Sequence, residues 1–145
     1  MKAYLIDSQA RTVTETDYNG DYQHIYKLIS VETFTVVRVP GSDGFAGLMS
    51  DCVFVDDEGL LNNPRHFFTL KGYPQPLAGN GLVLGTDDEG ESVEPRMSLD
   101  DLRAMVGFVQ ASVQGFVESE QEEETAFGRM MVFRSTPVFG PPEEE

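Results

Sequence analysis

GYPQPLAGNGLVLG, residues 72–85, joins a proline-stiffened loop to a short run that is apolar on both faces of a strand. Pro74 and Pro76 fix φ, and each ring pushes the residue before it into the extended region, so the loop is stiff. Residues 79–81, Gly-Asn-Gly, tolerate positive φ and can turn the chain sharply before the apolar residues 82–84. We therefore expect a rigid loop that leads into a buried strand.

Short β-rich runs bounded by turn residues surround this stretch. They predict strands at 2–7, 12–17, 33–39, 52–55 and 65–70, with a Gly-rich loop at 42–50 and a chain break at 62–64. In the last of these strands Phe67 and Phe68 point to opposite faces. One of them must therefore meet solvent, a partner or a second layer.

Residues 20–30 carry the clearest helix signal. Tyr22, Ile25, Tyr26 and Ile29 recur at i, i+3, i+4 and i+7, which is the stripe of an amphipathic helix. An Asn-Gly-Asp turn before the stripe supplies capping chemistry. We expect all four side chains to be buried against a sheet.

The segment after Ser98 leaves two alternatives open. Ser98 and Asp101 form a capping-box variant, which predicts a helix start. The apolar spacing beyond it fits either one long helix or a short helix and a strand. Gly107 and Gly115 each weaken the long helix by about 1 kcal/mol. A helix of two turns followed by a strand near 105–110 is therefore favoured.

Taken together, these elements predict a single α+β domain. Its core is a mostly antiparallel or mixed β-sheet of five to seven strands, packed by one amphipathic helix plus a short second helix. The core domain is expected at 1–117, followed by an acidic linker at 118–126, an extra strand at 127–134 and a disordered acidic tail at 135–145.

The net charge of −15, from 25 acidic and 10 basic residues, is the most extreme property of the chain. It argues against binding nucleic acid or an anionic bilayer, and it favours a basic partner. The N-terminus does not have the pattern of a signal peptide, and no apolar run is long enough to span a membrane. A cytoplasmic location is expected.

The acidic residues occur in clusters, two of which repeat the tetrapeptide Asp-Asp-Glu-Gly after a strand. Because these clusters lie at strand ends, we expect one edge of the sheet to be strongly negative. The residues predicted to contact a partner are Asp56, Asp57, Glu58, Asp87, Asp88, Glu89, Glu91, Glu118, Glu120, Glu122, Glu123 and Glu124. Phe67 and Tyr73 are predicted to form an apolar rim.

No constellation of catalytic or metal-binding residues stands out. The acids of the repeated tetrapeptide are contiguous, whereas a calcium loop needs ligands at alternate positions. His24 and His66 lack nearby ligand or nucleophile motifs, and Cys52, inside an apolar run, is expected to be a buried hydrophobe. The glycines at 79–85 precede a strand, whereas a dinucleotide loop opens a helix. We expect no catalysis, no metal and no cofactor.

Three segments carry a resemblance to known proteins: VFVDDEGL at 53–60, GYPQPLAGNGLVLGTDDEGE at 72–91 and SLDDLRAMV at 98–106. With the first 39 residues, they resemble a family of small acidic proteins of unknown function from bacteria, plasmids and phages. The segment 44–50 and the chain after about Gln110 lie outside the resemblance. The resemblance implies a mobile-element origin, in which small acidic proteins often bind and block a host protein.

These observations favour a non-enzymatic protein-binding module. Its expected partner is a basic, nucleic-acid-handling host protein, which it would bind and inhibit through an acidic surface that imitates DNA. An alternative is a structural or oligomeric protein whose charge serves only solubility, and another is a weak metal-dependent enzyme. An interface that survives high salt would instead be apolar and would involve Phe67 or Tyr73.

Overall fold

About half of the described residues lie in β-strands. The structure is a computed structural model that describes residues 1–41, 50–61 and 64–142. The strands are β1 (Lys2–Asp7), β2 (Thr12–Asp17), β3 (Phe34–Arg38), β4 (Asp51–Asp56), β5 (His66–Leu70), β6 (Leu77–Ala78), β7 (Gly81–Thr86), β8 (Ser92–Val93), β9 (Val106–Gln110), β10 (Ser112–Thr125) and β11 (Gly128–Gly140). The helices are α1 (Tyr22–Ile29) and α2 (Leu99–Met105), and Gly59–Leu61 forms a single 3-10 turn. Most of the predicted loop at 42–50, part of the break at 62–64 and the last three glutamates lie outside the described residues.

The strand that follows the proline loop is the middle of the central sheet. The order is β2-β1-β7-β4-β3, with β8 paired to the end of β7, and all neighbours are antiparallel. Residues 82–84 of β7 are fully buried, as predicted. Gly81 was predicted to be part of the turn, but it lies in β7 at a point of close packing. A Cβ there would lie 2.8 Å from Val53 Cγ1 and 2.9 Å from Phe68 Cζ, so a side chain would clash. Gly79 is the residue that turns the chain, with φ of 75°.

Helix α1 covers one face of the central sheet. Asp21 caps it by accepting a hydrogen bond from the amide of Gln23. Ile25 and Ile29 are buried in a cluster with Leu82 and other residues of that face. The prediction that all four residues of the apolar stripe are buried is wrong for Tyr22, which is 58% exposed. Its ring packs edge-on against Tyr26.

A second sheet and α2 cover the opposite face. The order of this sheet is β6-β5-β9, and Phe68 of β5 is fully buried in a cluster with Val83 and other residues of the central sheet. Ser98 caps α2 by accepting from the amide of Asp101, and β9 begins directly after Met105. The favoured alternative for this segment, a short helix followed by a strand, is therefore confirmed.

The α+β class and the mainly antiparallel pairing agree with the sequence prediction. The strands, however, are divided among a six-stranded sheet, a three-stranded sheet and a two-stranded ribbon formed by β10 and β11. The prediction of a linker at 118–126 and of disorder from 135 is wrong for the described residues, because 118–125 pair with 128–135 and the pairing continues to Gly140. Neither described helix has the length and apolar content needed to cross a bilayer.

Candidate protein-binding surface

The ribbon of β10 and β11 brings together the longest acidic stretch of the chain. Thr125 pairs with Gly128 beside the turn at the tip, and the register continues to Ser112 opposite Gly140, with one irregularity between Val113 and Gly115. At 3.4 Å per residue the ribbon is about 45 Å long. Most of its residues are exposed on both faces.

Four glutamates share one face of the ribbon because side chains of a strand alternate. Directly opposite residues also share a face, which fixes the neighbours of each glutamate. We call this the acidic face; from base to tip it pairs Phe116 with Pro137, Glu118 with Ser135, Glu120 with Phe133, Glu122 with Met131 and Glu124 with Arg129. Phe133 is 69% exposed and Met131 is 54% exposed. On this surface the row of glutamates on β10 therefore lies directly beside the exposed apolar side chains of β11.

Arg129 offsets little of this charge. Its Nε lies 3.7 Å from Glu122 Oε1 and 3.6 Å from Glu124 Oε2, and its side chain is 72% exposed. Exposed pairs at such distances are screened by water and salt. Four carboxylates and one guanidinium leave the acidic face with a net charge of −3.

The other face of the ribbon carries no net charge, and we call it the neutral face. Its two charged residues are Glu123 and Arg134, whose guanidinium donates to both carboxylate oxygens, at 2.6 and 3.0 Å. This double hydrogen bond lowers the pKa of Glu123 and raises the pKa of Arg134. Glu123 therefore does not belong with the other four glutamates, although the sequence grouped all five.

An apolar cleft lies at the base of the ribbon. Its volume is about 280 Å³. It is lined by β3, the end of β4, the 3-10 turn, the proline loop and β10. The lining residues are Thr35, Val37, Val55, Asp56, Asp57, Gly59, Leu60, Leu61, Tyr73, Gln75, Pro76, Leu77, Ala78 and Phe116. Phe116 begins the acidic face, so that face leads directly into the cleft. Asp56 and Asp57 add two carboxylates to the lining.

The two Asp-Asp-Glu-Gly turns lie at opposite ends of the central sheet, which corrects the prediction of one negative edge. β4 and β7 are antiparallel, with Asp51 opposite Gly85 and Val55 opposite Gly81. The turn after β4 and the turn after β7 are therefore about 20 Å apart along the strands. Asp56, Asp57 and Glu58 lie on the same side as the cleft. Residues 87–91 lie at the far end of the sheet.

The two residues of the predicted apolar rim, Phe67 and Tyr73, lie in different surroundings. Tyr73 lines the cleft and is partly exposed. Phe67 is fully buried, because the ring of Phe139 from β11 packs edge-on against it at a centroid distance of 5.5 Å. The second layer that the sequence required for one of the two phenylalanines is therefore the base of the ribbon.

Several residues of this surface were missed from the sequence. Phe116, Met131 and Phe133 were not among the candidates, since they were assigned to uncertain or isolated segments. A signal was present: residues 118–122 read Glu-Ser-Glu-Gln-Glu, in which charged and uncharged residues alternate with the two-residue period of a strand. The density of charge hid this alternation by resembling a solvated linker.

The described residues offer little for metal or redox chemistry. No three His, Cys, Asp or Glu side chains among them come together as a metal site. Cys52 is buried and has no disulfide partner. His24 stacks on Tyr18, and its Nδ1 accepts a hydrogen bond from the amide of Asn19 at 3.2 Å. Its ring is thus used to hold the turn before α1.

The fold and this surface define a small α+β domain that carries an exposed acidic β-ribbon. By sequence the chain belongs to the DUF3846 family, a domain of unknown function that matches residues 1–107. This match confirms the resemblance to a family of unknown function. The ribbon lies beyond the matched residues.

One relative among curated proteins is the uncharacterized protein y4iR of Sinorhizobium fredii. It is 28% identical over 102 residues, which cover 68% of this chain and 58% of that protein. The chain therefore spans less than two thirds of the relative's length. No solved structure matches the chain.

Proposed function

We propose that this protein is a non-enzymatic binding module that engages a basic protein surface through the acidic face of its ribbon. The observation that carries the proposal is the row of four glutamates on one exposed face, Glu118, Glu120, Glu122 and Glu124, with the exposed Phe133 and Met131 directly opposite the middle two. Carboxylates attract lysine and arginine, and exposed apolar side chains supply contact area that water does not favour.

A role in solubility alone does not account for the apolar side chains. Dispersed charge is enough to keep a protein soluble, and such a role gains nothing from a phenylalanine and a methionine exposed among the glutamates. Binding surfaces, in contrast, combine aromatic and methionine anchors with a charged rim. An arginine of the partner can also stack on the Phe133 ring while it pairs with a neighbouring glutamate.

The spacing of the charges identifies the kind of partner. Successive glutamates on the acidic face are about 7 Å apart, whereas duplex DNA carries one charge per about 1.7 Å of its axis. The face is thus several times less dense in charge than DNA. The proposal is therefore a basic protein surface with apolar pockets, rather than a cleft shaped to the duplex.

Nucleic-acid-handling host proteins carry basic surfaces of this kind, since they present lysine and arginine to phosphates, and they are the proposed partners. Blocking that surface would inhibit the host protein, a role that suits an element of mobile origin. Association would be fast at low salt, because a negative ribbon steers toward a positive partner, and it would slow as salt screens the field.

The test is a pull-down from bacterial lysate at low salt with two matched variants. E118Q/E120Q/E122Q/E124Q removes four charges from the acidic face, and D87N/D88N/E89Q/E91Q removes four from the far end of the sheet. We expect a stoichiometric basic partner that is lost from the first variant and at high salt, and retained by the second. No stoichiometric partner, or equal loss from both variants, would contradict the proposal.

A further inference from the structure

We propose that the cleft at the base of the ribbon binds an apolar side chain of the same basic segment that the acidic face holds. The ligand is then an extended peptide with one apolar anchor and cations at alternate positions. This inference rests on the proposed function and adds a specific requirement to it.

The cleft has the size and lining for one anchor residue. Its volume of about 280 Å³ has room for one large side chain and lies below the range of sites for drug-sized molecules. Leu60, Leu77 and Phe116 supply apolar walls. Burial of an aliphatic or aromatic side chain there removes apolar surface from water on both partners.

The proline loop makes one wall of the cleft rigid. Pro74 and Pro76 flank Gln75, which lines the cleft, and Tyr73 precedes them. Because the φ angles of the two prolines are fixed in the free protein, little conformational entropy is lost when a ligand binds. This gives a function to the stretch that also leads the chain into the central strand.

The cleft and the acidic face follow one another along β10, at the side-chain spacing of a strand. Phe116 lines the cleft, and Glu118 follows on the same face about 7 Å further along β10. An extended ligand also repeats its side-chain direction every second residue, at the same spacing. A ligand whose anchor occupies the cleft therefore presents its alternate residues to Glu118 and Glu120.

Charge at the cleft selects the sequence around the anchor. Asp56 and Asp57 line the cleft on the side of the turn after β4, and Glu118 follows Phe116 on β10. An apolar anchor with cations on either side meets carboxylates in both directions, while an acidic or neutral flank does not. The occupant is thus an apolar residue within a basic segment, not a free hydrophobic ligand.

Two fluorescent nonapeptides provide the probe. The first is Lys-Ser-Lys-Ser-Leu-Ser-Lys-Ser-Lys, which is symmetric in its charge pattern and tests either chain direction. The second replaces the leucine by serine and keeps the charge. Fluorescence anisotropy at low salt measures both dissociation constants, and we expect the leucine peptide to bind about tenfold more tightly.

Matched variants on β3 locate the anchor. Thr35→Trp fills the cleft from an exposed strand position, while Val36→Trp adds the same side chain to the opposite face of that strand. Thr35→Trp is expected to reduce the preference for leucine to within about twofold, and Val36→Trp to preserve it. Tyr73→Ala, which removes part of the other wall, is a second variant expected to reduce the preference. Melting curves check that each variant is folded.

The outcomes separate this inference from the proposed function. Equal affinity for the two peptides, or a preference that persists in both Thr35→Trp and Tyr73→Ala, would overturn the anchor while leaving the acidic face intact. The variant E118Q/E120Q/E122Q/E124Q should weaken both peptides alike. If neither peptide binds the natural chain, the acidic face itself is contradicted, and the anchor with it.

Discussion

Glu123 differs from the other glutamates of the ribbon because Arg134 donates two hydrogen bonds to its carboxylate. These bonds lower its pKa in the folded protein. The stability that the pair contributes is therefore present above the ordinary pKa of a glutamate and is lost as pH falls through the lowered value. Because the side chain of Arg134 is 52% exposed and that of Glu123 is 32% exposed, solvent screens the pair and this contribution is small.

The prediction at this scale concerns the pKa itself. Arg134→Gln removes the charged donor, so the pKa of Glu123 should rise toward its ordinary value. Carboxyl chemical shifts measured by NMR through an acid titration would show the change. Arg129→Gln is the matched control, because Arg129 lies on the acidic face and should leave the pKa of Glu123 unaltered. An equal shift in both variants would mean that the pair does not form.

Asp51 illustrates what a sequence does not reveal about a single residue. It precedes an apolar run, and its carboxylate is buried, where it accepts the amides of Arg96 and Met97, each at 2.9 Å. These partners are 45 and 46 positions away in the chain. No local pattern indicates such a contact, whereas the cap at Ser98 was predictable because its partner is three residues away.

At the scale of elements, α1 shows that periodicity predicts a helix more reliably than it predicts which of its side chains are buried. The spacing predicted the helix and the burial of Ile25 and Ile29, but it also predicted the burial of Tyr22, which is exposed. Position within the helix decides the difference. Tyr22 stands in the first turn, where its ring packs edge-on against Tyr26 and remains largely exposed.

This difference leads to a prediction about stability. Ile25→Ala should lower the free energy of unfolding by about 2–5 kcal/mol, because it removes buried methyl groups and leaves a cavity beneath the sheet. Tyr22→Ala, at an exposed position of the same helix, should cost less than about 1 kcal/mol. Urea denaturation followed by circular dichroism measures both. Similar costs would indicate that the helix packs in a different rotation.

The ribbon was the element least accessible to sequence reasoning. Its first strand alternates, but a block of glutamates has low hydrophobicity and is typical of solvated linkers. What makes it a strand is pairing with residues 128–140, and the apolar runs of that second strand were assigned only as far as 134. Both strands lie outside the region that matches the family, so the resemblance gave no guidance there.

At the scale of the whole molecule, the acidic charge is divided between two ends. Antiparallel pairing of β4 with β7 sends their two acidic turns apart, although each turn follows a strand. Only topology separates them, since the two tetrapeptides are identical in sequence. The charge that remains near the ribbon is that of the turn after β4 and of the acidic face. This segregation makes matched charge variants possible.

We expect the domain to fold without its ribbon. A chain that ends after Ala111 retains β9, its pairing with β5 and the bond from the Ala111 amide to the Arg65 carbonyl. The main loss is the ring of Phe139 over Phe67, which exposes part of a buried phenylalanine at a cost of about 1–3 kcal/mol. We expect cooperative unfolding with a melting temperature roughly 4–13 °C lower, measured by calorimetry.

A full-length Phe139→Ala variant provides the control for this truncation. It should reproduce most of the decrease in melting temperature, because the same contact with Phe67 is lost. It should still bind the basic peptides, since the acidic face is unchanged, whereas the truncated chain should not bind them. An unfolded truncated chain would show that the ribbon is part of the cooperative core, and peptide binding without the ribbon would place the partner surface elsewhere on the domain.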